Sequence, residues 1–199
     1  MIEFIIGVFI YAKCKKGYKL KYMFKYPYIF AIMPPLLCAL LYIYLEICVW
    51  NQWYWFLPYQ HLIKTVTLLS YIPLVYTYNL YKNDNSKYIN NEAMQVLTSP
   101  MILAIFCLIL GSSLNNIAMW ANSNMMPVFP NCTYFTGYVR PEFVKDGMHI
   151  LGNAYTKLIP ICDIFDVWYS IWSIGDILIR MYAYIILFYS IEKNNKMIK

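Results

Sequence analysis

Four apolar runs, at about residues 27–49, 58–81, 96–119 and 167–191, dominate this chain, with a shorter one at residues 1–12. A helix crosses the hydrocarbon core of a bilayer with ~20 predominantly apolar residues, so each long run is sufficient to span. The first run is not: 12 residues of helix rise only about 18 Å against a core of ~30 Å, and it spans only if the bilayer thins or flanking lysines snorkel. Composition points the same way, with 61% hydrophobic and 13% charged residues among 199, where soluble domains carry roughly a quarter charged. The predicted fold class is therefore all-α. It is a polytopic membrane helical bundle of about five transmembrane helices over residues 1–199, a single domain with a non-cytoplasmic cap at residues 122–166 between helices 4 and 5. The lysines follow the first run instead of preceding it, and no small-residue cleavage site appears, so that run reads as retained rather than as a signal peptide.

Charge sets the orientation. Lys13, Lys15, Lys16, Lys19, Lys21 and Lys25 follow the first run, Lys82 and Lys87 follow the third, and Lys193, Lys196 and Lys199 close the chain. If runs two to five alternate, all of these lie on one side, which the positive-inside rule makes cytoplasmic. The expected location is a cell membrane, multi-pass, with the C-terminus cytoplasmic. The basic cluster beside a membrane run reads as a topology anchor on anionic headgroups and not as a nucleic-acid patch, so the expected partner is the lipid bilayer, with no nucleic acid. On the opposite side, Trp50, Trp53 and Trp55 read as an aromatic belt at headgroup level.

The one long polar stretch, Asn122 to Asp166, is punctuated by Pro127, Pro130, Pro141 and Pro160. Its apolar pieces "MMPVFP" and "KLIPICDIF" predict an ordered cap, because disorder needs low hydrophobicity. A weakly amphipathic piece from Pro141 to Leu158 reads as a surface helix. Cys132 and Cys162 both fall in the cap, so a disulfide and two separate thiols are the two readings there. The six cysteines form no CxxC and no zinc spacing with histidine, and the chain offers no metal or cofactor fingerprint.

The last run carries Asp176 and Arg180, four residues apart on one helix face and able to pair with each other. With a helix beginning near Ile171, Asp176 falls about 8 Å below the outer interface and Arg180 about 14 Å. Charges at such depth cost ~2.5–3.5 kcal/mol each and normally face the bundle interior. The same depth arithmetic brings Lys64, Asn115 and Asn116 to the level of Asp176, with His61 just above and Glu46 near the outer end of run two. These residues form the expected polar layer. Asp176 is expected to reach Asn115 or Asn116, with Arg180 or Lys64 as its charge partner.

The order of features, a short apolar helix, a basic turn at Gly17, "GSSLNNIAMWANSNMMPV" ending in Met126-Pro127-Val128, then "TKLIPICDIFD" and "SIGDILI", resembles a family of small uncharacterised multi-pass membrane proteins of Gram-positive bacteria. The resemblance covers most of the chain. It implies a membrane fold and no assigned activity. Members of that family often have glycines before the Met-Pro-Val where this chain has Ser123 and Asn124. The residues themselves hold no GxSxG, HExxH, P-loop or dinucleotide fingerprint. The Gly-x-Gly-Asp of membrane aspartyl proteases is approached by Ser173-Ile174-Gly175-Asp176, but no second carboxylate from another helix is placed to share its proton. Two readings follow. One is a non-catalytic membrane protein whose outward polar layer binds a small molecule or peptide, or specifies helix packing. The other is a membrane-embedded hydrolase or transferase using Asp176 with His149 or His61 as acid and base.

Overall fold

The computed structural model describes residues 2–22, 29–51, 53–59, 62, 65, 66, 69, 91–134 and 147–197. The helices are α1 (Ile2–Ile10), continued by a π-helical turn at Tyr11–Lys15, then α2 (Ile29–Trp50), α3 (Asn91–Ala121) and α4 (Ile174–Met197). Leu62, Thr65, Val66 and Leu69 of the third apolar run are helical too. His61, Lys64, the Lys82–Lys87 segment and the Pro141–Asp146 half of the expected surface helix lie outside the described residues. Among the described residues, one helical segment, Ile102–Ala121 with a mean hydropathy of 1.9, is long and apolar enough to cross a membrane. A shorter apolar stretch, Leu36–Trp50, lies in α2.

The chain packs as two compact units. One comprises Met1–Tyr42, Leu62–Phe106 and Arg180–Lys199; the other comprises Ile43–His61 and Cys107–Ile179. In the first unit, Val8 and Ala12 of the N-terminal segment bury themselves against Leu187 and Ile191 of α4, flanked by Phe9, Tyr18, Leu20, Leu36, Tyr184 and Phe188. The spacings Val8–Ala12 and Leu187–Ile191 are both i, i+4, which stacks each pair on one helix face. Gly17 ends the N-terminal helical segment at φ +64, a backbone state open to glycine at little cost.

The second unit carries short strands that an all-α expectation does not include. Strand β1 (Met126–Val128) runs parallel to β2 (His149–Leu151), with Met126 opposite His149. Met126 N–H donates to the Met148 carbonyl at 2.7 Å and Gly152 N–H to the Val128 carbonyl at 2.8 Å. The other edge of β1 meets a single bridge from Val128 to Asp163, through Asp163 N–H to the Pro127 carbonyl and Phe129 N–H to the Asp163 carbonyl. Pro127 explains the asymmetry, since a proline can accept along that edge but cannot donate. A second pair, β3 (Phe165–Asp166) and β4 (Ile171–Trp172), forms an antiparallel hairpin. Ala118, Met126 and Cys162 form the buried centre of this lobe, with Met119, Phe129, Ile161 and Ile164 packed around it.

Two expectations, on residues 147–158 and on the start of α4, meet a different arrangement here, and the two readings of Cys132 and Cys162 reduce to one. The described part of the expected surface helix, residues 147–158, is strand β2 followed by a turn in which the Asn153 side chain accepts from Tyr155 N–H and the Thr156 hydroxyl accepts from Asn153 N–H. Local side-chain bonds of this kind outcompete helix. Cys132 and Cys162 are free thiols. The Cys162 sulfur is buried and faces the carbonyls of Lys157 and Leu158 at 3.6 and 3.4 Å. Finally, α4 begins at Ile174 and not near residue 167, because residues 165–172 turn back on themselves.

Candidate functional site

The site is built at the first turn of α4. Ser173 stands just before the helix and Asp176 in its first turn, and the two cap it reciprocally. Asp176 N–H donates to Ser173 Oγ at 2.9 Å, and Ser173 N–H donates to Asp176 Oδ2 at 3.3 Å. This is a capping box with aspartate as the acid, and it also places a negative charge at the positive end of the helix dipole. Asp176 is therefore at a helix terminus and not part-way down one, so a large share of the cost assigned to a carboxylate in mid-helix does not arise.

Asn115 of α3 closes the arrangement. Its Nδ2 donates to Asp176 Oδ1 at 3.0 Å, and its Oδ1 accepts from the Ser173 hydroxyl at 2.7 Å. The amide can sit only one way round here, because its oxygen would repel a carboxylate. Four hydrogen bonds thus link three residues in a ring. Asn115 is 7% exposed and Ser173 fully buried, so the bonds operate away from competing water and each broken one leaves a buried polar group behind.

Glycines make the approach close enough. A Cβ on Gly175 would collide with the Asn115 side chain and lie 2.5 Å from the Gly111 carbonyl, and a Cβ on Gly111 would lie 2.5 Å from the Gly175 carbonyl. Gly111 and Asn115 are i, i+4 on α3, so one face of that helix provides both the gap and the amide that fills it.

A second carboxylate organises the hairpin leading into α4. Asp166 Oδ2 accepts from Asn131 N–H at 2.7 Å, Thr133 N–H at 2.9 Å and the Thr133 hydroxyl at 2.9 Å, while Oδ1 accepts from Trp168 N–H at 3.0 Å. Burial works to raise the Asp166 pKa, but these four donors outweigh it and hold the carboxyl below its ordinary value. The Trp168 backbone is at φ +71, with Tyr169 N–H reaching back to the Val167 carbonyl at 2.9 Å, the geometry of a γ-turn. Ser170 then donates to Glu46 of α2 at 3.3 Å. The nearby Cys162 thiol is pushed up to about 11 by burial and by the charge of Asp163, which leaves it protonated and unreactive at neutral pH.

The structure thus brings Asn115 and Asp176 into contact, while Asn116, the next residue on α3, is exposed. Arg180 is buried at 5% exposure one turn further along α4. His149 sits in β2, paired in register with Met126. Ser173, Gly175 and Gly111 belong to the site without having been singled out as site residues. The signal for the first was present: Ser-x-x-Asp ahead of an apolar run is the sequence signature of a capping box.

These features define a helix-rich protein with a strand-bearing lobe, in which a glycine-tight helix contact is closed by a capping cluster. A family model, Family of unknown function (DUF5317), matches residues 21–188, and the chain belongs to that family. No curated protein and no solved structure matches it.

Proposed function

We propose that this chain is a non-catalytic multi-pass protein of a bacterial cell membrane, in which the Asn115–Ser173–Asp176 ring fixes how α3 packs on the start of α4. The observation that carries the membrane reading is the division of faces on α3. Apart from Ser113 and Asn116, its exposed positions are large and apolar, with Ile102, Leu103, Phe106, Ile109, Ile117 and Trp120 between 46 and 79% exposed. Its buried positions are mostly small, namely Ala104, Cys107, Gly111 and Ala118, together with Asn115 and Leu108. A helix in water hides its large apolar residues, whereas a helix in lipid offers them to acyl chains and keeps small and polar residues for its neighbours. Helix α2 repeats the pattern, exposing Met33, Leu37, Leu40, Tyr44, Ile47 and Trp50 while burying Pro34, Cys38, Ala39 and Cys48 together with Leu45. Exposed Trp53, Trp55, Trp120 and Trp168 all belong to the second unit and suit a headgroup-level belt.

Packing is favoured over catalysis and over ligand capture because both Asp176 oxygens and both Asn115 side-chain atoms are engaged within the ring. A general acid or base needs an oxygen turned towards substrate. The test combines localisation with stability. The full-length protein should stay with membranes through alkaline carbonate extraction, and Asp176→Asn should lower its thermal midpoint in detergent. Release by carbonate would refute the membrane reading; an unchanged midpoint would refute the packing role.

A further inference from the structure

Asn115 and Asn116 face opposite ways on α3. A step of about 100° around the helix separates them, so Asn115 turns inward to the Ser173–Asp176 ring while Asn116 is exposed. Asn116 lies within Ile102–Ala121, the segment long and apolar enough to cross a membrane, about 7.5 Å short of its C-terminal end. An asparagine at a helix end can turn its amide on an orphan carbonyl, as Asn51 does on Ile47 and Asn122 on Ala118. Inside α3 the helix itself uses those carbonyls, and among the described residues the Asn116 amide has no hydrogen-bond partner. The exposed face of α2, with Met33, Leu37, Leu40, Tyr44, Ile47 and Trp50, carries no amide among the described residues. Asn116 therefore departs from the way the rest of the apolar surface is furnished, and hydrocarbon offers an amide no partner.

We propose that the face of α3 carrying Ser113 and Asn116 docks against the same face of a second copy of this chain, an inference that rests on the membrane reading above. Ile109, Ser113, Asn116 and Trp120 are all exposed and recur at steps of four, three and four, the average spacing at which two helices keep a common seam. Leu110 and Ile117 flank it, 36 and 46% exposed. Two copies inserted in the same direction are related by a two-fold axis along the membrane normal, so each seam residue meets its own counterpart at the same depth. A second copy thus brings an amide to the level of Asn116 by symmetry alone, whereas an unrelated partner must supply a polar group at that depth. Charge complementarity favours self-pairing as well. Residues 109–120, "ILGSSLNNIAMW", contain no ionisable side chain, so no like charges meet across the axis. An amide presents both donors and acceptors and can pair with its own copy, where a carboxylate or an ammonium would repel. Ser113, almost one turn away, is small enough to let the two backbones approach and adds a hydroxyl that donates and accepts.

The experiment has two arms, both on the full-length protein. For cross-linking, Cys14→Ser and Cys132→Ser remove the two thiols that are not buried. In that background, copper phenanthroline oxidation of Ser113→Cys in native membranes should give a covalent dimer, whereas Leu40→Cys on the exposed face of α2 should not. For affinity, association is read by energy transfer between two labelled populations as the ratio of protein to detergent is varied. Asn116→Leu should weaken the dimer roughly tenfold, and Asn116→Gln, which restores an amide, should keep most of its strength. Asn116 is exposed, so both variants should keep the helical content of the wild type by circular dichroism. A wild type that stays monomeric at every ratio, a dimer untouched by Asn116→Leu, or cross-linking at Leu40→Cys as strong as at Ser113→Cys overturns the proposal. So does a cross-linked product whose mass joins Ser113→Cys to a different protein, which assigns the face to another partner. A monomer retained by membranes through carbonate extraction refutes this inference only, whereas carbonate release refutes the reading beneath it.

Discussion

Asn115 and Asp176 lie 61 residues apart in the chain, and the amide nitrogen of one stands 3.0 Å from the carboxylate of the other. Removing the Asn115 side chain takes a partner from Asp176 Oδ1 and from the Ser173 hydroxyl, and removing the Asp176 side chain takes one from Asn115 Nδ2 and from Ser173 N–H. Asn115→Ala and Asp176→Ala should each cost about 1–2 kcal/mol. In a double-mutant cycle read by thermal unfolding in detergent, the pair should couple by ~0.5–1.5 kcal/mol. Strict additivity would mean that the ring contributes nothing as a unit.

Gly175 gives a prediction whose sign opposes helix propensity. Alanine in a helix normally outperforms glycine by ~1 kcal/mol. Here the added methyl meets the Asn115 side chain and the Gly111 carbonyl, so Gly175→Ala should destabilise by about 1–3 kcal/mol through overpacking. Gly111→Ala should do likewise. A raised thermal midpoint in either variant would show that the helices are free to move apart.

Ser123 occupies the left-handed position that ends α3, at φ +59, and the N–H of the next residue, Asn124 (φ +61), reaches the Met119 carbonyl at 2.8 Å. This is the hydrogen bond of a Schellman cap, whose left-handed position usually holds glycine. A side chain there costs ~1–2 kcal/mol, partly offset by the greater chain entropy of an unfolded glycine. Ser123→Gly should therefore stabilise by about 0.5–1 kcal/mol and Ser123→Val should destabilise, as measured by denaturant or thermal midpoints.

Asp166 predicts the acid response of the hairpin. Its pKa is lowered in the folded protein, so its contribution is complete above the unfolded value of about 3.9 and is lost as pH falls through the lower folded value. The thermal midpoint should fall across that acid window in the wild type. Asp166→Asn should start lower at neutral pH and respond less to acid. Equal pH dependence in the two proteins would remove Asp166 from the account.

Orientation is testable with a native side chain. Cys14 is exposed within the basic turn, so in a variant retaining only Cys14 an impermeant thiol reagent should label it after membranes are opened and not in intact cells. Labelling in intact cells would reverse the orientation inferred from the lysines.

The sequence by itself determined two of the helical segments, since the apolar runs at residues 27–49 and 96–119 coincide closely with α2 or lie within α3, and by depth alone it brought Asn115 and Asn116 alike to the level of Asp176. Both follow from local or one-dimensional physics: apolar run length, and the tendency of a carboxylate in an apolar segment to seek an amide. Tertiary structure decided where the last helix begins. Val167-Trp168-Tyr169 continues the apolar run, yet four donors converge on Asp166 and Ser170 reaches Glu46, partners that are mostly distant along the chain and invisible to a window of neighbours. Those bonds turn residues 165–172 into a hairpin and leave Ser173 free to cap. The tight glycine contact has the same origin. A glycine in a run reads as a weak helix position until another backbone comes to lie against it, and only the packing of α3 against α4 gives Gly111 and Gly175 their meaning.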